Sequence, residues 1–178
     1  MLDERRIKEA ESNVRKYLQD DMLKKRTNNT ALAMYIENSE MSLQTAKKIL
    51  SLESKNYKPY LWVIVASYYS MYYISNAVLL KLGYKVGEKI SHKVTADSLI
   101  VFVRNKLRRQ LMEEYEDTKE DALELISQRS DTIIKNLDFE REKRSKFQYQ
   151  MDEQVKKGRA KTSLERAKEF VFEMKKLL

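Results

Sequence analysis

Residues Tyr60 to Leu80 run for 21 positions without a charged side chain, in a chain whose composition is 35% charged, and Tyr68, Tyr69, Tyr72 and Tyr73 sit near their middle. An uncharged stretch of that length is either a membrane span or a helix enclosed on nearly every side. The polar atoms decide between the two. Ser67, Ser70, Ser75, Asn76 and the four phenols would lie deep in a bilayer, where tyrosine belongs at the interfaces and lipid offers hydroxyls no partner. Neighbouring helices can supply partners, so the sequence predicts a buried helix in a bundle and no membrane.

With 178 residues the chain has the length of one domain with a sizeable core. Only 3 glycines and 1 proline are present, which leaves little material for tight turns and favours long helices. Cysteine is absent, so disulfides, thiolate catalysis and the common zinc motifs drop out and a cytoplasmic setting is expected. Residues 1–20 are charged throughout and lack the apolar segment of an export signal. The net charge is +8, which favours polyanions without naming one. That charge is dispersed: residues 1–28 hold 8 basic against 6 acidic side chains, and residues 118–178 hold 15 against 12. A nucleic-acid face must therefore be assembled by folding.

Ile7, Ala10, Val14, Tyr17 and Leu18 share one face and predict a helix over residues 3–25. Asn28, Asn29 and Thr30 offer a break and a cap before a second helix, over residues 31–53, that buries Leu32, Tyr35, Ile36, Leu43, Ala46 and Leu50. Pro59 suits the start of the uncharged helix and Gly83 its exit. Ser91 then caps a helix carrying Ala96, Leu99, Ile100, Val103, Leu107 and Leu111, which ends in the basic cluster Arg104, Lys106, Arg108 and Arg109. A fifth helix over residues 119–147 carries Ala122, Ile126, Ile133 and Leu137. Polar residues 151–161, with Gly158, are expected to be a mobile loop, and Thr162 with Glu165 to form a capping box for a last helix through Leu164, Ala167, Phe170, Val171 and Met174. The product is an all-α antiparallel bundle of five to six helices, with residues 1–28 as an N-terminal helical extension and residues 29–178 as the bundle domain.

Carboxylate-bridged di-iron chemistry, the usual metal function of such bundles, needs paired Glu-x-x-His motifs. His92 is the one histidine, and Lys89 stands three residues before it. No two glycines are close enough to build a phosphate loop. His92, Arg144 and Tyr149 remain as candidates for chemistry. Arg144 falls on the same helical face as Ile126, Ile133 and Leu137. A permanently charged guanidinium on an apolar stripe requires a carboxylate, backbone carbonyls, a phosphate or a wet interface. His92 lies one turn before Ala96, a position that suits a hydrogen-bonded core histidine at least as well as a catalyst. Tyr149 fits either a base-stacking residue or a tyrosine packed on its own bundle. Arg141, Lys143, Arg144 and Lys146 precede it, and Lys156, Lys157, Arg159 and Lys161 follow. Either run could touch phosphates or simply face solvent.

The stretch Ala66-Ser67-Tyr68-Tyr69-Ser70-Met71-Tyr72-Tyr73, followed by Ala77-Val78-Leu79-Leu80, Gly83-Tyr84 and Ile90-Ser91-His92-Lys93-Val94, resembles the HEPN superfamily of small helical proteins. Members read A-Y-Y-A-M-F, then A-x-x-L-L, a glycine, and K-T-H-S-G-V. Arg144 to Tyr149 is similar to a subgroup's arginine, four residues and tyrosine. The likeness covers residues 30–178. It implies a bundle that forms a homodimer with the arginine-bearing helices facing each other. It also implies a metal-independent endoribonuclease, cofactor-free and often a toxin paired with a nucleotidyltransferase antitoxin. The family's catalytic signature is an arginine, four to six residues, then a histidine. Here those histidine positions hold Tyr149, Gln150 and Met151. A phenol with a pKa near 10 is a poor base at neutral pH, so the expectation shifts towards binding RNA or a nucleotide through Arg144, Lys143, Lys146 and Arg141. Cleavage with Tyr149 or His92 in the missing role, and a purely protein-binding scaffold, are the alternatives.

Overall fold

A computed structural model describes residues 2–138 and 153–178, with side chains described for residues 2–127 and 156–178. Six α-helices and one two-stranded ribbon make up the described residues, and the fold is an all-α helical bundle. The uncharged segment forms helix α3 (Tyr60–Lys81), against which α2 (Asn29–Ser51), α5 (Arg109–Asp138) and α6 (Glu153–Lys175) pack. Among the described residues α3 alone is long and apolar enough to cross a membrane, and 72% of its most apolar window is buried inside the protein.

Three polar side chains of α3 are satisfied within the helix, while the buried Ser67 hydroxyl has no partner among the described residues. Ser70 donates to the Ser67 carbonyl at 2.7 Å, Ser75 to that of Met71 at 2.7 Å and Asn76 to that of Tyr72 at 2.8 Å. Ser39 of α2 donates across the interface to the Ser70 carbonyl at 2.7 Å. Bonding back to carbonyls three or four residues earlier is how small hydroxyls survive in a helix without water. The helix starts after Pro59 and gives way at Gly83, whose φ of 91° few other residues adopt. Glu53, in the α2–α3 loop, accepts from Tyr60 at 2.7 Å and from Lys157 of α6 at 2.6 Å. These bonds tie the loop to the far helix.

Helix α1 (Glu4–Gln19) is capped by Asp3 and buries Ala10, Val14 and Tyr17. Residues 20–25 do not continue it, contrary to the sequence expectation. The chain reverses at Asp21, with φ 58°, and forms strand β1 (Leu23–Lys25), which pairs antiparallel with β2 (Tyr84–Val86). The apolar stripe of α1 ends at Leu18, so nothing rewards a further helical turn. Leu23 lies opposite Val86, Lys24 opposite Lys85 and Lys25 opposite Tyr84. Leu23 and Val86 face the core, and Tyr84 stacks on Phe102 with ring centroids 4.1 Å apart.

The helix expected from Ser91 to Leu111 is two helices. Helix α4 (Ser91–Phe102) ends in a 3₁₀ turn at Arg104–Lys106, and Leu107 is extended before α5 begins. Arg104 stabilises the break by donating to the Ile100 carbonyl at 2.8 Å, an acceptor left open at a helix C-terminus. Helix α6 likewise begins at Glu153, so residues 153–161 are helix rather than loop and Thr162 is an exposed mid-helix residue, not a cap. Ala160 is fully buried one turn before Leu164 and extends the stripe backwards. That burial outweighs the roughly 1 kcal/mol a helical glycine such as Gly158 costs.

Candidate functional site

Helix α4 opens in an unusual way. Ile90, 55% exposed, holds a left-handed conformation with φ 43° and caps the helix without a side-chain hydrogen bond. A β-branched residue there is strained. Two residues on, His92 sits partly buried, and its Nδ1 lies 2.7 Å from the Tyr68 hydroxyl of α3. Its ring is 4.6 Å from that of Tyr72 and 5.8 Å, edge-on, from Tyr69. Burial, helped by the positive charge of Lys119, holds the imidazole below its usual pKa, so it is neutral at pH 7.

Two tautomers of the neutral imidazole satisfy the contact with Tyr68. Burial raises the pKa of Tyr68, which therefore keeps its proton. Its hydroxyl shares a hydrogen bond with His92 Nδ1 and lies beside the Tyr115 hydroxyl. With Tyr68 donating to Nδ1, the neutral ring carries its hydrogen on Nε2; with Nδ1–H donating to the phenol oxygen, Nε2 is left as an acceptor. Tyr115, fully buried beside Tyr68, has a hydroxyl without a well-formed partner of its own.

Tyr69 joins this histidine to a groove of about 380 Å³ between α2 and α3. Its walls include Tyr69, Tyr73, Met41, Asn38, Ser42 and Thr45, and none of its lining residues is charged. On the opposite side, Lys119 pairs with Glu116, and Glu116 lies 3.4 Å from Arg6 Nη2. The same Nη2 stands 2.6 Å from Oδ1 of Asp97, whose side chain is 0% exposed. Tyr17 and Asn13 donate to the other oxygen of Asp97 at 2.8 Å and 3.0 Å. Burial opposes the charge of Arg6, but Asp97, Glu116 and Glu9 more than offset it, and its pKa is raised. A neutralised chain of charges thus runs from α1 through α4 and α5 towards His92.

Of the residues singled out in the sequence, His92 stands on the inner side of α4, where its spacing to Ala96 puts it. Arg141, Lys143, Arg144, Lys146 and Tyr149 lie outside the described residues. Sequence reasoning missed Asp97 and its partner Arg6. The available signal was a single acid amid the apolar residues from Val94 to Val103, which needs a cation from elsewhere in the chain. Among the described residues no three carboxylate or imidazole side chains converge as a metal set. No family model, curated protein or solved structure matches the chain.

Proposed function

We propose that this chain is a HEPN-like protein that binds RNA or a nucleotide at a cleft between two copies and acts beside a nucleotidyltransferase partner, as in a toxin–antitoxin pair. Arg144, with Arg141, Lys143 and Lys146, supplies the phosphate contacts in this reading. The observation that carries it is the hydrogen bond between Tyr68 and His92 Nδ1. It holds a neutral imidazole beside an aromatic, uncharged groove with amide and hydroxyl groups on its wall. Such surroundings suit a base or a phosphate oxygen as ligand. Donation to such a ligand uses the tautomer in which Tyr68 donates to Nδ1, and proton abstraction from a ribose hydroxyl would use the other.

The test is a fluorescently labelled single-stranded RNA, with ATP tested separately, titrated with wild type, His92→Ala and Arg144→Ala in EDTA. Binding by the wild type without cleavage, weakened about tenfold or more in Arg144→Ala and by less in His92→Ala, is the expected result. Cleavage in EDTA that disappears in His92→Ala would make the protein a ribonuclease instead. Equal binding by wild type and Arg144→Ala at low salt removes the arginine from the site.

A further inference from the structure

The β-ribbon carries a charge arrangement that works against its own stability. The backbone bonds Gly87 N to Met22 O at 2.8 Å and Arg26 N to Gly83 O at 2.9 Å flank the Lys24–Lys85 pair. By the alternation of antiparallel ladders, Lys24 and Lys85 are then a hydrogen-bonded pair, with Cα atoms about 5.5 Å apart and side chains on one face. That face points away from the core, because the adjacent pair Leu23 and Val86 is buried. Like charges directly opposite one another destabilise a sheet. Arg26 follows two residues along the same face, about 7 Å on.

Little acid offsets these cations. Asp21 Oδ2 lies 3.7 Å from Lys24 Nζ, and that aspartate is 79% exposed, so solvent screens the pair. Over residues 20–26 and 81–89, six basic side chains meet three acidic ones. The two outer-face positions opposite Arg26 and Met22 are Gly83 and Gly87, so no side chain rises there to fence the cations off. A methyl group at Gly83 would meet nothing within 4 Å, whereas one at Gly87 would meet the Met22 carbonyl at 3.1 Å. The exposed Lys24 and Arg26 with the half-buried Lys85 form a short track rather than a point charge. A nucleic-acid strand carries a charge every roughly 3.4 Å and can meet all three.

We propose that the outer face of this ribbon docks the phosphate backbone of an RNA strand, outside the site that contains Arg144. The inference rests on the RNA-binding reading and extends it: the ribbon holds the strand while the cleft holds its recognised part. The ribbon reads no base, since its contacts are to phosphate alone.

The test compares wild type with the triple variant Lys24→Ser, Arg26→Ser, Lys85→Ser and with the charge-retaining Lys24→Arg, Lys85→Arg. Each is titrated with labelled oligouridylate from about 50 to 200 mM salt, and with phosphatidylserine vesicles. Helical content and melting temperature confirm that each variant is folded. The triple variant should bind about tenfold more weakly at the low-salt end, with the slope of log K against log salt flatter by about 2, near 0.7 per lost contact. The arginine variant should bind as wild type does. Equal affinity and slope in wild type and triple variant, with Arg144→Ala still impaired, overturns the ribbon and leaves the cleft reading standing. Binding of the wild type to vesicles but not to RNA overturns both.

Discussion

Two regions of this molecule are made where residues 1–28 meet the rest of the chain, and they treat charge in opposite ways. At one, Arg6 of α1 reaches one oxygen of an aspartate that is wholly buried, and Tyr17 and Asn13 donate to the other. At the other, Lys24 is laid directly across from Lys85 on the outer face of the ribbon. The first pairing is enclosed in the fold and its opposite charges meet, although Arg6 Nη1 is buried without a partner among the described residues. The second is electrostatically unfinished, and an anion from outside is what would complete it. Burial explains the difference: an uncompensated charge inside a protein costs several kcal/mol, whereas on the surface water and salt make a mismatch tolerable.

The largest effect should come from breaking the closed region. Arg6→Met leaves the Asp97 carboxylate buried and unpaired and should destabilise the fold by about 3–5 kcal/mol, read by urea denaturation. Adding Asp97→Asn removes the orphan charge while keeping an oxygen for Tyr17 and Asn13, so the double variant should recover more than half of the loss. A loss below about 1 kcal/mol in the single variant would mean that water, not Arg6, solvates this carboxylate.

A smaller effect follows from His92, which stands at the end of the same charge network. Its pKa is depressed in the folded protein by burial and by Lys119, so the unfolded chain binds a proton more readily than the folded one. Stability linked to this group is fully present above the unfolded value of about 6.5 and is lost as pH falls from there towards the folded pKa. Melting temperatures measured from pH 8 to pH 5 should fall more steeply in wild type than in His92→Gln. Parallel profiles would show that the ring titrates in the fold as it does in water.

Much of the fold was legible because its main signals are local. Twenty-one uncharged positions between Pro59 and Gly83 specify α3 almost completely, and Asn28 caps α2 by accepting from Ala31 N at 3.0 Å. What failed was local signal that imitated something else. Leu107 and Leu111 keep helical spacing with Val103 across a real break, and Thr162 with Glu165 mimics a capping box inside a continuous helix. A three-residue strand has no period to read, so β1 and β2 were invisible until they paired. The same holds for the site. His92 followed from its spacing to Ala96, but Arg6 with Asp97 and Lys24 with Lys85 are partners brought together by the fold alone, and no window along the chain contains either pair.

The smallest effect is the one that bears most directly on the open region. Lys85→Thr removes one cation from the ribbon and places a β-branched residue, well suited to a strand, opposite Lys24. Relief of the like-charge pair should stabilise the protein by about 0.2–1 kcal/mol, and the gain should shrink as salt is raised, because screening already weakens the repulsion in wild type. The same change should weaken RNA binding. A substitution that improves the fold while impairing the ligand is the pattern of a residue retained for binding at the expense of stability. Salt-dependent thermal melts settle the sign. If Lys85→Thr melts lower than wild type at every salt concentration, the lysine stem contributes more by packing along the ribbon than its charge takes away, and the ribbon is then as self-sufficient as the core around Asp97.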